Sequence, residues 1–351
     1  MITFRNYRGD VDQSNAWTCA GVDACYGGSS YDGNADFASG TANCGTCNST
    51  TMTVSSSPAW AVNRFIGYQL FNTSDPNSTI QLPACSQTWA ESVAVDMASG
   101  FENITKLTIQ GSGALPSRGS AENTVLNNGE FYITTKSNKQ VRVSNIKFTG
   151  EGASHRNYVY ILGDTKPSLG GGFRIDHNSF NGGHAIQIYG CFGAAYGVID
   201  SNTGYTNATS SGGGQFANVT WGTDTTFGGG GNLSWATAST VGGQDEVYFE
   251  DNTLVNNKAS EERMLCDGAN GARIVVRYND LTMFYMGGHD ASSADRGIFS
   301  FEAYNNIFRT FGYQINAPLS MRGGSGHFFN NQIIADDANP FYSTEGNGIS
   351  L

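Results

Sequence analysis

Apolar and polar positions along this chain alternate in short runs, and the runs recur. FRIDHNSF from Phe173, YGVIDSNTG from Tyr196, VYFEDNTL from Val247, IVVRYNDL from Ile274, FEAYNNIF from Phe301 and HFFNNQII from His327 share one asparagine. It falls at Asn178, Asn202, Asn252, Asn279, Asn306 and Asn331, in steps of 24, 50, 27, 27 and 25 residues. That is one period with a single doubled step, and self-similarity at this interval is the signature of a solenoid.

Within each unit the residues three before and two after the asparagine are mostly apolar, as in Ile175 and Phe180, Phe249 and Leu254, or Val276 and Leu281. The residue five before is often apolar as well, as in Phe173, Val247, Ile274 and Phe301. Strand side chains alternate with period two, so positions minus five and minus three share an inward face. Keeping position plus two on that face requires a sharp corner at or near the asparagine, a residue that tolerates left-handed backbone. Each unit therefore predicts a short strand, a turn and another short strand. Stacked in parallel about 4.8 Å apart, the units would bring their asparagines into a ladder of mutually bonded amides. One unit fits poorly: QVRVSNIKF from Gln140 keeps Val141, Val143 and Phe148 but places Ile146 where asparagine belongs.

Composition supports a β-solenoid of about 25 residues per coil. Charged residues make up 14%, against about 25% in average proteins, and the chain holds 46 Gly and 7 Pro. Aromatic residues reach 12%, enough to fill a long, thin core and to exclude a disordered chain. No run of about 18 apolar residues exists, so no membrane-spanning helix is expected. The start, MITFRNYRGD, carries no basic region followed by an apolar core, so no signal peptide is visible. The net charge of −11 argues against a nucleic-acid partner, whose binders present basic patches.

Residues 1–79 read differently, as an irregular segment rich in Cys, Gly and Asn that packs on or caps a solenoid spanning 80–351. Cys19, Cys25, Cys44 and Cys47 suit two local disulfides better than a zinc site, since only one pair has the two-residue gap of a zinc knuckle. With the low-charge, Asn- and Thr-rich solenoid, this favours an extracellular protein or one on a cell or virion surface.

The run KLTIQGSG, the later VRVSNIKFTG, and the FRIDHNSF, YFEDNTL, VVRYNDL and AYNNIF units resemble the right-handed parallel β-helix proteins of the pectate-lyase-like superfamily. The resemblance covers roughly residues 80 to 351. It implies a right-handed parallel β-helix that lays an extended polysaccharide along one face. The same coil also carries glycosidases, tailspikes, adhesins and inert spans, so the resemblance implies the fold more strongly than an activity.

The position two before the asparagine should point outward, because its neighbours point in. It holds Asp176, Asp200, Glu250 and Arg277 in successive units. Adjacent coils would stand these carboxylates and the arginine in one exterior column, each about 5 Å from the next. Like charges that close need a compensating cation, so Asp176, Asp200 and Glu250 are candidate ligands for Ca²⁺. The same four residues are candidate catalytic groups, because glycoside cleavage uses carboxylates about 5 to 9.5 Å apart. His177 beside Asp176, and Asp251 beside Glu250, add acid and base capacity; pairing with Arg174 or Arg273 is the structural alternative.

Pectate lyases, by the same resemblance, use a calcium-bridged uronate and an arginine base. Arg277 in the column and Arg322 in MRGGSGHFFNN are similar in placement, while the proline-containing arginine motif and the calcium-site aspartate signature are missing. The paired-aspartate and Gly-His-Gly motifs of polygalacturonases are missing too. His289 in GGHDASSADRG lies in a polar, Gly-rich stretch that could face substrate. The doubled step holds Phe216, Trp221, Phe227 and Trp235. It is either a long loop whose aromatics stack on sugar rings or one further coil whose aromatics are buried.

Two functions fit these features. One is a polysaccharide lyase or glycoside hydrolase centred on the column, with Arg174, His177, Trp221, Trp235, His289 and Arg322 as substrate contacts. The other is a non-catalytic spike, adhesin or fibre subunit. Solenoid ends without a polar cap can stack, so self-association through ends or faces is also expected.

Overall fold

A computed structural model describes residues 4–6, 17–19, 25–27, 43–47, 52–56, 77–82, 86–88, 93–96, 105–113, 124–134, 139–150, 158–162, 172–182, 185–189, 196–206, 215–220, 243, 246–256, 263–269, 271–288, 297–310, 319–320 and 324–335. Among them every regular element is a strand. The chain visits three sheets in rotation, and each holds nine strands that, Phe4–Asn6 apart, neighbour one another three elements apart. All pairings within the three are parallel except the first, where Phe4–Asn6 runs antiparallel to Val93–Asp96. The architecture is all-β with long parallel sheets, compatible with a parallel β-helix.

The first sheet contains the strand that leads into each asparagine, from Asn77–Gln81 through Gly172–Asp176, Gly197–Asp200, Val247–Glu250, Arg273–Arg277 and Ser300–Tyr304 to Ser325–Phe329. Its alternation follows the sequence. Phe173 and Ile175, Val247 and Phe249, Ile274 and Val276, and Phe301 and Ala303 lie in one buried core. The second sheet adds the residue two after the asparagine. There Phe148 and Phe180 stack with centroids 5.2 Å apart, and Phe216 meets Phe180 edge-on at 5.6 Å. Burying one such ring contributes about 2 kcal/mol. Gly197 occupies a core position beside Phe173, and a Cβ there would come within 2.6 Å of that ring.

The corner lies one residue earlier than the asparagine. Asn145, His177, Ser201, Asp251, Tyr278, Asn305 and Asn330 all have φ between 53° and 60° and precede the aligned position. Turning there frees the asparagine to point inward. Its Oδ1 accepts from the backbone N–H and the Nδ2 of the preceding asparagine, at 3.0 and 3.1 Å from Asn202 to Asn252 and at 3.0 and 2.9 Å from Asn252 to Asn279. The second Nδ2 hydrogen goes to a carbonyl of the coil before, as from Asn252 to Ile199 at 2.8 Å. Every amide hydrogen and oxygen is thus used, which is what lets Asn178, Asn202, Asn252, Asn279 and Asn306 be at most 2% exposed.

The poorly fitting unit is the start of this ladder. The backbone N–H of Ile146 donates to Asn178 Oδ1 at 3.1 Å, while Asn145 occupies the corner and donates to the carbonyls of Gly111, Ser112 and Gly113. Its asparagine lies one residue earlier in the chain.

The doubled step conceals no coil. Gly197–Asp200 pairs directly with Val247–Glu250, Thr203–Thr206 with Thr253–Asn256, and Gln215–Thr220 with Arg263–Ala269. The extra length lies between strands of one turn. Phe216 is 1% exposed and belongs to the core, so it is not available to a sugar; Trp221, Phe227 and Trp235 lie outside the described residues.

In the first segment Trp17–Cys19 pairs with Cys25–Gly27 and Asn43–Cys47 with Met52–Ser56, both antiparallel. The disulfide reading concerns side chains of Cys19, Cys25, Cys44 and Cys47, which lie outside the described residues.

Candidate functional site

The outward column forms as its spacing demands. Asp176 registers with Asp200, Asp200 with Glu250, Glu250 with Arg277, Arg277 with Tyr304, and Tyr304 with Phe329. Three carboxylates and an arginine are therefore neighbours on the outer face of the first sheet. Their environments differ sharply.

Asp176 is fully buried and Asp200 is 5% exposed, although both point away from the core. What covers them is a second outward row, two residues nearer the strand starts. Arg142 donates from Nε to Asp176 Oδ1 at 2.7 Å and from Nη2 to Oδ2. Arg174 forks Asp200 in the same way at 2.8 and 2.7 Å. His177 places Nδ1 2.7 Å from Asp176 Oδ2, and Ser201 Oγ donates to Asp200 Oδ2 at 3.3 Å. Hydrogen bonds to these carboxylates raise both guanidiniums above their ordinary pKa, against the opposing effect of burial. The like-charge repulsion of the column is met by arginine.

Each carboxylate oxygen of Asp176 and Asp200 thus accepts from a guanidinium N–H group. Among the described residues no group of three or more His, Cys, Asp and Glu side chains could hold a metal ion. Arg273, the other pairing candidate, is 2% exposed with its guanidinium 4.6 Å over the Phe299 ring.

Farther along, the column becomes aromatic and more open. Arg277 Nε donates to Glu250 Oε2 at 2.6 Å and Nη1 to the Tyr304 hydroxyl at 3.1 Å. Its guanidinium also lies 4.9 Å from the Tyr248 ring and 5.9 Å from that of Tyr278. Burial pulls this arginine down, but its bonds to Tyr304 and Glu250 outweigh that and raise its pKa overall. Burial pushes the Tyr248 phenol up to about 12, with Glu246 and Glu302 adding to the rise. Tyr248 is consequently a neutral donor at physiological pH, and it donates to the Gly243 carbonyl at 2.8 Å.

Tyr304 and Phe329 stack at 4.9 Å, and Tyr278 meets Tyr304 edge-on at 6.2 Å. Tyr278 is 50% exposed and Phe329 49%. Tyr278 also holds the left-handed corner at φ 59°, where the other coils place Asn, His, Ser or Asp. A bulky side chain in that region costs roughly 1 kcal/mol more than asparagine. The exposed ring is held at an energetic cost to the fold.

Sequence reasoning brought together Asp176, Asp200, Glu250 and Arg277, with Arg174 and His177 beside them. Trp221, Trp235, His289 and Arg322 lie outside the described residues. It overlooked Arg142, Tyr248, Tyr278, Tyr304, Phe329 and Glu302. Carrying the outward register two coils past Arg277 reaches Tyr304 and Phe329, and that signal was present in the repeat. No family model matches the chain, and no curated protein matches it either.

Proposed function

We propose that this chain is an extracellular, right-handed parallel β-helix protein of the pectate-lyase-like kind that holds an extended glycan along the outer face of its first sheet. The observation that carries the reading is Tyr278, a half-exposed aromatic kept at a left-handed corner beside Arg277, Tyr304 and Phe329. Flat, accessible rings flanked by hydrogen-bonding groups suit sugar faces, whose C–H surfaces stack while their hydroxyls bond alongside. As a lyase or hydrolase, the protein would use Glu250 and Arg277, the column members that keep partly exposed side chains.

A non-catalytic β-helix is the second reading, favoured by the closure of Asp176 and Asp200 within arginine pairs. Incubation with a panel of polysaccharides separates the two. Unsaturated product or new reducing ends, abolished by Glu250→Gln, supports the enzyme. Binding without product supports the second reading. Absence of binding to any glycan rejects the glycan reading and leaves a purely structural spike or fibre subunit, which fibres or trimers in electron microscopy would support.

A further inference from the structure

The charge balance around the exposed rings says what kind of glycan fits. From Val247–Glu250 to Ser300–Tyr304 the carboxylates Glu246, Glu250, Asp251 and Glu302 stand against the guanidiniums Arg273 and Arg277. Arg277 is committed to Glu250 and Tyr304, and Arg273 is buried against Phe299. Upstream, Arg142 and Arg174 each fork an aspartate. An anionic sugar approaching the rings therefore finds no uncommitted guanidinium among the described residues of the sheet, and the exposed cation Lys106 lies five strands away from the strand of Arg277.

It also finds an unmatched carboxyl. Glu302 lies between Phe301 and Ala303, both buried in the core, so alternation turns it outward, in register with Val275 and His327. It is 7% exposed, and its Oε1 has no hydrogen-bond partner. The Ser300 hydroxyl, outward on the same strand and 4% exposed, has none either. Buried polar atoms of this kind are ordinarily satisfied, and a hydroxyl-bearing ligand or water supplies what these lack. A polyanion would instead bring like charge against this carboxyl.

We infer that the glycan held on this face is uncharged, with Tyr278 and Phe329 as stacking platforms and Glu302 as the group that disfavours uronates. This rests on the glycan-binding reading above and narrows it. The test is binding of the full chain to a neutral glucan and to a galacturonan of matched length, at low and at high salt. The expected result is tighter binding of the neutral polymer with little salt dependence, because stacking is not screened. Tyr278→Asn, which suits the left-handed corner, should weaken that binding about tenfold. Glu302→Gln should narrow the preference against galacturonan about fivefold.

Tighter, salt-sensitive binding of galacturonan would overturn the inference and leave the glycan reading standing. Failure of both polymers to bind would overturn the inference, and the glycan reading falls with it only if the wider polysaccharide panel is silent as well. Unchanged neutral binding in Tyr278→Asn, with Phe329→Ser equally silent, would remove the platform and the inference with it.

Discussion

Arg174 and Asp200 belong to neighbouring coils but not to the same row. The guanidinium reaches diagonally across the sheet to take both carboxylate oxygens, and Arg142 repeats the diagonal onto Asp176. Because the arginine in each pair lies one coil earlier than its acid, the pairs link successive turns and do not stabilise any single one. Removing one partner leaves a nearly buried carboxylate without its cation. Arg174→Ala should therefore lower stability by about 1 to 2 kcal/mol, less than for a fully enclosed pair because this arginine is half exposed. A double-mutant cycle with Asp200→Ala, read from urea midpoints, checks it. A coupling energy near zero would mean that the pair is incidental.

The asparagine ladder gives a graded prediction. Asn252 accepts from Asn202 and donates to Asn279 and Ile199, all within the core. Asn252→Ala should cost about 3 kcal/mol, since it leaves several buried partners unmet. Asn331 stands at the far end of the described ladder, partly open to solvent, accepting from Asn306 and donating to Ala303. Asn331→Ala should cost about 1 kcal/mol. Chemical denaturation of the two variants side by side is the measurement, and equal costs would contradict the ladder as a source of stability.

Tyr278 should show opposite effects on stability and binding. Tyr278→Asn relieves the left-handed backbone strain and is expected to stabilise the fold by about 0.5 to 1 kcal/mol, while binding of a neutral glycan weakens. Thermal melts and affinity electrophoresis on the same preparations test the pair of outcomes. Loss of stability would show that the ring serves packing.

Alkaline pH supplies a fourth test. The Tyr248 phenol is pushed up to about 12, so the unfolded chain releases this proton near its ordinary value, about 10, before the folded one does. Between these values the folded state binds more protons, and stability falls as pH rises. Well below pH 10 both states hold the proton, and the group's contribution to stability is constant. Tyr248→Phe should make the decline between pH 10 and 12 shallower in denaturation curves. An identical slope would place the alkaline sensitivity elsewhere.

What could be read from the sequence was whatever the repeat forces. The asparagine is chemically distinctive, so its register gave the ladder, the inward face and the column from Asp176 to Arg277. Diagonal pairing was harder to read, because Arg142 and Asp176 are 34 residues apart and which row reaches which depends on stagger and side-chain length. Ile146 misled because its asparagine serves the corner in place of the ladder. Tyr278, Tyr304 and Phe329 escaped notice for another reason: in one dimension an outward aromatic looks like core, and only the register followed through successive coils separates them.

The doubled step carries an implication for how such a chain changes. Asp200 and Glu250 are side by side although their ladder asparagines are 50 residues apart, because the strands and the Asn202–Asn252 bond link the two turns directly whatever length of chain runs between them. Doubling the length of a connection costs only about 0.6 kcal/mol in loop closure. Segments between strands can therefore be lengthened, exchanged or grafted without the neighbouring turns registering the difference. Descendants of one scaffold can diverge in surface while sharing an unaltered spine.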